Sequence, residues 1–444
     1  MGDKFAPYEP DQQLLFPPSL RDWLPEDHLC YFISDTVDQL DLSSIVSKYR
    51  SIGSGNVAYH PRLMLKLLIY GYCTGVFSSR KIARQMEENV AFRVLAAGQN
   101  PSHRSLCRFR QQHIAEFSNL FVQVVEIATA SGLAKLGTIA IDGTKIKAAA
   151  SKRKAMTYGR MKSEEKRLRK EIKALIKAAG DVDAVEDEQF GPDFRGDEMP
   201  EELRRRKSRL KVIRDAKKRL EDRKREEDAE KIEKEEERDE DTKKRGPKRK
   251  HPLGKPKDSD QENFTDPDSR IMKSGSGAFE QCYNAQTAVD GDSQIILAAG
   301  VTQCAADSNQ LIPMLDAAMD NTGESPGRVL ADAGYKSEDN FTNLESRKVD
   351  AYVSVGREGK GAKPISPNKP ATRQMQRKMQ TNRGRKCYAD RKHIVEPPFG
   401  WIKRCLGFRS FSLRGREKVA GEWALICLAL NLKRMNQKLT WSGT

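Results

Sequence analysis

The chain has 444 residues, with 79 Lys and Arg against 63 Asp and Glu, a net charge of +16 and a pI near 9.4. That length favours two or three domains, and the positive balance makes a polyanion the first candidate partner, unless the excess charge serves only solubility. The longest apolar run, Ala424 to Leu430, is too short to span a bilayer, and the first residues lack a basic-then-apolar leader, so a soluble cytoplasmic protein without a membrane partner is expected.

Residues 1–135 read as wholly helical. Leu63, Leu65, Leu67, Leu68 and Tyr70 form a dense apolar stripe, and Ser78-Ser79 offers an N-cap for a helix over Arg80 to Glu87. After the breaker Gly98-Gln99-Asn100-Pro101, Ser102 caps a helix whose leading end carries His103, Arg104, Arg108 and Arg110. A short helix, a turn and a second helix with a basic start fits a helix-turn-helix reader of DNA, with Arg104 and Arg108 as contacts. It fits an ordinary bundle with a solvated basic face equally well.

At Gly137 the period changes from helical to two. Ile139, Ile141, Thr144 and Ile146 alternate along a first strand. No further strand is expected until residues 276–290 and 293–302, two β-rich runs joined by Asp290-Gly291-Asp292. Helix is then expected over 308–320, a short buried strand over 328–334, helix over 337–347 and strand over 350–356. Residues 357–385, rich in Gly, Pro, Lys and Arg, read as loop, and two helices close the chain over 393–407 and 416–435. This is an α/β domain of residues 136–151 and 266–444, interrupted by an insertion over 152–265.

Within the insertion, Leu168, Ile172, Leu175 and Ile176 stripe one helix, and Leu203, Leu210, Ile213 and Leu220 stripe another at heptad spacing. An acidic loop separates them, so a charged antiparallel helical hairpin over 163–235 is expected. Between Met161 and Lys250 lie 30 basic and 27 acidic residues, so the positive excess belongs to the flanking domains. The eight cysteines form no Cys-x-x-Cys pair, which points to reduced thiols. Cys387, His393 and Cys405 match no zinc spacing.

Three carboxylates carry the chemical signal. Asp142 lies inside the first strand among isoleucines, where an unpaired carboxylate is costly, although Gly143 after it also allows a plain Asp-Gly turn. Asp332 closes the strand over 328–334, at the carboxyl end where α/β sheets place ligands, or else caps the next helix. Tyr335 and Lys336 follow it as a stacking surface and a cation. Glu396 precedes Pro397-Pro398, a pair suited to a first helical turn, with Lys403 two turns on. Around it, from Thr381 to Val419, 11 Lys or Arg face 3 acids, with Tyr388, Phe399, Trp401, Phe408 and Phe411 interleaved. Such a mixture suits phosphate binding and stacking on unpaired bases.

Taken together, Asp-Gly-Thr-Lys in a first strand, Ala-Asp-Ala-Gly-Tyr after a later one and Val-Glu-x-x-Phe-Gly-x-x-Lys in a late helix closely resemble the bacterial insertion-sequence DDE transposases. Phe411, Arg414, Gly415, Lys418 and Val419 match the Phe-x-x-Arg-Gly-x-x-Lys-Val segment of a subgroup with a helical N-terminal domain. The resemblance implies an RNase H-like mixed sheet with flanking helices, and Asp142, Asp332 and Glu396 as the DDE triad. It also implies DNA partners, both element terminal repeats and target DNA, and a homo-oligomer in the paired-end complex. The chain departs from the related Tyr-x2-Arg-x3-Glu-x6-Lys pattern. Glu396 and Lys403 fit, Tyr388 and Arg391 fall one residue early, and Lys392 occupies the arginine slot. Lys145, Lys336, Arg391, Lys392, Lys403 and Arg404 complete the expected DNA contacts.

Carboxylates suit this chemistry because two hard Mg²⁺ (or Mn²⁺) ions about 4 Å apart activate the attacking oxygen and neutralise the leaving one. Water first frees a 3′-OH at the element end, and that 3′-OH then attacks target DNA. The competing readings are an RNase H-like nuclease without strand transfer and a non-catalytic, transposase-derived DNA-binding protein.

Overall fold

The computed structural model describes residues 19–49, 58–190, 201–236, 252–275, 277–356 and 365–442. Its first part is helical, as the sequence predicts: α1 (Leu29–Gln39), α2 (Ser43–Val46), α3 (Pro61–Cys73), α4 (Ser79–Glu88), α5 (Val90–Leu95), α6 (His103–Gln112) and α7 (Glu116–Ala130). Ser78 and Ser102 occupy the expected N-cap positions, and the Ser102 side chain accepts from Ser105 N. The simple two-helix reader is corrected: α5 stands between α4 and α6, which pack on each other. Asn89 makes this extra helix by ending α4 in extended backbone and accepting from Ala91 N as the cap of α5.

Strand β1 (Thr138–Lys147) follows, then a two-stranded ribbon of β2 (Ala155–Thr157) and β3 (Gln261–Asn263) at the base of the insertion. Between these two short strands, which the sequence did not predict, run α8 (Tyr158–Phe190) and α9 (Glu201–Glu236). They pack on each other through Met161, Leu168, Ile172, Leu203, Leu210, Ile213 and Ala216, in a small apolar cluster of their own. Of the expected stripe only Ile176 is exposed, and the rest of that seam is covered. The basic, proline-containing stretch over 246–258, which reads as a linker, falls in part outside the described residues.

The main sheet continues with β4 (Arg270–Lys273), β5 (Phe279–Asp290), β6 (Ile296–Thr302), β7 (Arg328–Ala331) and β8 (Ala351–Val353). Its order is β4-β5-β1-β7-β8, with β6 also paired to β5. β1 runs antiparallel to β5 and parallel to β7, and β7 is parallel to β8. Helices α10 (Leu311–Thr322) and α11 (Glu338–Ser346) connect the strands where helical periodicity predicts them. Part of the expected 357–385 loop is instead α12 (Pro370–Gln380), opened by a proline at its first turn and anchored by Ala371, Thr372, Met375 and Met379.

The late helix is longer than predicted. α13 (Asn382–Gly400) starts well upstream, so Pro397 and Pro398 lie inside it rather than at its head. Each proline removes one backbone donor from the ladder, and the chain continues as a π-helical stretch over Trp401–Cys405.

α14 (Arg416–Ser442) explains the long apolar run. A helix that is apolar all round belongs in a core, and Trp423 through Leu430 are buried between the N-terminal helices α1, α3 and α7 on one side and β6 on the other. Asn431, also buried, pairs with the β6 backbone as a strand would: Ile296 N donates to its Oδ1 at 2.8 Å and its Nδ2 donates to Ile296 O at 2.7 Å. N-terminal helices and sheet therefore share one continuous apolar cluster. At Gly421, α14 packs closely on the turn between α6 and α7, since a Cβ there would lie 2.1 Å from the Ile114 carbonyl oxygen. Gly421→Ala should lower unfolding free energy by about 3 kcal/mol through this overpacking. Urea denaturation checks it, and an unchanged midpoint would contradict so close a junction.

Candidate functional site

The parallel pairing of β1 with β7 places Ile141 opposite Ala331. Asp142 and Asp332 are each the next residue along, so the sheet sets the two aspartates side by side although 190 positions separate them. Asp142 lies within β1, and its Oδ1 accepts from Gly143 N at 2.8 Å. Gly143 is needed for close approach: a Cβ there would meet Gln286 Nε2 at 2.2 Å across the β1–β5 pair. Asp332 follows β7, and its Oδ1 accepts from Gly334 N at 2.7 Å in a short 3-10 turn, while Ser337 caps α11.

Electrostatics mark the same pair. Burial pushes the Asp142 carboxyl up to about 6; Arg391 opposes the shift and neighbouring Asp332 adds to it. Tyr335 is driven well above its ordinary value by burial and then by the charges of Asp142, Asp307 and Asp332. Asp307 is a group that reading the sequence missed. A Cβ on Gly334 would lie 2.9 Å from Asp332 Oδ1 and 3.3 Å from Asp307 Oδ2, so those oxygens are no more than about 6 Å apart.

The other expected site residues divide. Arg391 is turned inward, its Nη1 donating to Asp142 Oδ2 at 2.9 Å. Glu396, five positions further along the same helix and so about 140° around it, is exposed. Among the described residues no three His, Cys, Asp or Glu side chains are gathered to hold a metal ion. Lys145 pairs with Asp307 at 3.0 Å. Lys403 reaches the cleft by donating to the Thr144 hydroxyl, and burial lowers its pKa. Arg104, Arg108, Lys336, Lys392 and Arg404 are exposed, whereas Arg110 is buried against the Tyr72 hydroxyl at 3.1 Å and Phe77 O at 3.0 Å.

Two expectations of base stacking are corrected. Tyr335 is fully buried, its hydroxyl donating to Gln286 Oε1. Phe408 and Phe411 are core residues in edge-on contacts with each other, Phe77 and Tyr283. In both places aromatic rings found more burial inside the protein than a solvent-facing role allows. The Phe411 to Val419 motif is a structural latch. Arg414 Nε donates to Ala149 O at 2.9 Å, Gly415 N to Asp266 Oδ1 at 3.2 Å and Arg416 N to Asp268 Oδ2 at 2.9 Å, while buried Glu422 accepts from the backbone N–H of Ser412 and Leu413.

The raised Asp142 value carries a sign. Its folded pKa of about 6 exceeds the ordinary 3.8, so folding favours the protonated form. That contribution is complete below about pH 4 and is lost as pH rises through 6. Asp142→Asn, which stays uncharged, should therefore gain roughly 1–3 kcal/mol over the parent at pH 8 and little at pH 4. Thermal unfolding at the two pH values checks this, and equal Tm differences at both would refute it.

Comparison with known families gives two matches. A transposase domain family (DUF772) matches residues 18–112, and a transposase DDE domain matches residues 245–432. The second match contains Asp332 and Glu396, while Asp142 lies outside both. No curated protein and no solved structure matches the chain. With two separate transposase matches that together span more than half its length, the chain belongs to the insertion-sequence DDE transposases.

Proposed function

We propose that this chain is the DNA transposase of its element, cutting DNA at the element ends and joining the freed 3′-OH to target DNA. The observation that carries the reading is the pair Asp142 and Asp332, brought side by side by adjacent parallel strands within a chain that matches two transposase families. The DDE match supports reading the mixed sheet as RNase H-like.

The residues present fit a hard divalent cation. Two carboxylates meet where burial and mutual repulsion already disfavour the charge on Asp142, and a bound cation offsets such a cost. Asp142 and Asp332 would hold Mg²⁺ or Mn²⁺, and the family motif names Glu396 as the third ligand, in a site of two ions. When bound, such ions supply an activated oxygen nucleophile and a neutralised leaving oxygen. The protein's own groups do the remaining work. Arg391 orients Asp142 through a 2.9 Å hydrogen bond and supplies a positive charge at the place a phosphate must approach. Lys403, held by a hydroxyl rather than a carboxylate, keeps its charge for the DNA backbone. Exposed Lys336, Lys392 and Arg404 extend that surface, and Arg104 and Arg108 on α6 form a second basic strip suited to the element end. The hairpin of α8 and α9 nearly cancels its own charge, so we assign it to pairing with itself or a second subunit rather than to phosphates.

Asp142→Asn, Asp332→Asn and Glu396→Gln should each abolish Mg²⁺-dependent nicking of end-bearing DNA while leaving its binding intact. Strand transfer from pre-cut ends separates a transposase from a nuclease that only hydrolyses. Metal-independent nicking, or full activity in Asp142→Asn, would overturn the assignment. Replacement of residues 163–235 by a short Gly-Ser linker should spare nicking and abolish paired-end complexes in gel-shift assays. Loss of folding in that variant would instead make the hairpin integral to the core.

A further inference from the structure

Asp307 lies in the loop between β6 and α10, and none of the transposase motifs includes it. Four hydrogen bonds nonetheless converge on its carboxylate. Oδ1 accepts from Lys145 Nζ at 3.0 Å, Asn284 Nδ2 at 2.6 Å and Gln286 Nε2 at 2.8 Å, and Oδ2 accepts from Lys145 Nζ at 3.3 Å. Asn284 and Gln286 are fully buried, two residues apart on β5, and Gln286 Nε2 also donates to Asn284 Oδ1 at 2.9 Å. Their partners in the sheet register are Lys145 and Gly143, so the network adjoins the strand that carries Asp142, on the face opposite the Asp142 side chain. Its other end is Gln286 Oε1, which receives the buried Tyr335 hydroxyl three residues after Asp332. Asn340 laces the two loops again, donating to Ser308 O at 2.6 Å and Tyr335 O at 2.7 Å.

Each amide here has two possible faces, and the carboxylate selects one. Because Asp307 can only accept, it fixes the NH₂ groups of Asn284 and Gln286 towards itself and leaves Gln286 Oε1 facing Tyr335. We propose that Asp307 is a positioning residue of the cleavage site, holding Lys145 and the Asn284–Gln286 pair in the one arrangement that anchors Tyr335 and the turn bearing Asp332. The proposal rests on the reading of Asp142 and Asp332 as cleavage residues, and it sets Lys145 to an internal task rather than a DNA contact.

Asp307→Asn tests it because the shape is kept and the acceptor-only character is lost. The new NH₂ group must face either the Lys145 ammonium or the two amides, donor against donor. Outer hydrogen-bond partners of this kind commonly matter 10–100-fold, so kcat for Mg²⁺-dependent nicking should fall by about that factor while KM and the Kd for end DNA stay unchanged. Adding Lys145→Gln supplies an acceptor opposite the new amide and should recover part of the lost kcat. Lys145 should also react faster with an amine-acylating reagent, read by mass spectrometry, in Asp307→Asn than in the parent.

Parental kcat in Asp307→Asn overturns the proposal, as does a loss that tracks a lowered unfolding midpoint and that Lys145→Gln does not relieve. If the parent protein itself fails to nick DNA, the function reading falls, and the acylation rate then decides the inference alone. Equal Lys145 reactivity in the two proteins overturns it, and faster reaction in the variant upholds the hold on Lys145.

Discussion

Four residue pairs between β1 and β7 bear the arrangement of the site. Backbone pairing from Thr138↔Arg328 to Ile141↔Ala331 fixes both the direction and the register of the strands, and side chains in a sheet alternate with a period of two. A slip of one residue would turn one aspartate to the opposite face and separate the pair. That register is held from outside the site. Leu330 and Ala331 are fully buried, β8 pairs on the far edge of β7, and α13 crosses over β1, β7 and β8. The apolar core is therefore the means by which two like charges are kept close together against their repulsion.

Where that repulsion is offset defines the rest of the centre. Arg391 reaches in from α13 to Asp142, and Lys145 reaches across to Asp307. Each cation is less than one-fifth exposed at its side chain. Buried charges need such partners, because removing a group from water costs several kcal/mol unless its hydrogen bonds are replaced. The cleft so formed alternates acid and base at short range, whereas Lys336, Lys392 and Arg404 are exposed.

Much of this was legible in the sequence, for physical reasons that particular residues show. Asp142 and Asp332 stood out because each interrupts an apolar strand, and a charge in such a place demands explanation. The hairpin was legible from Leu203, Leu210 and Ile213, since heptad spacing has few other uses. Asp307 was invisible because Lys145, Asn284 and Gln286 converge on it only through the sheet, from 21 to 162 positions away. Tyr335 and Phe411 were misread because local sequence does not say which side of a turn faces the core. Pro397 and Pro398 signalled a helix start, and tertiary packing of Cys387, Arg391, Ile394 and Val395 carried the helix through them.

The insertion also bears on how the chain can fold. β1 and β5 are neighbours in the sheet, yet Lys147 and its partner Cys282 are 135 positions apart, and a chain that long closes slowly when it is unstructured. The α8–α9 pair changes the problem. Its apolar cluster draws only on contacts within the insertion and its immediate flanks, so it can form before the sheet does. Once formed, the ribbon of β2 and β3 pins the two ends of the excursion together, with Ala155 opposite Asn263. What remains to be closed is the short stretch from Lys147 to Ala155 on one side and from Asn263 to Phe279 on the other. The hairpin thereby turns a long-range strand pairing into a nearly local one, an advantage during synthesis that is separate from anything it does once DNA is bound.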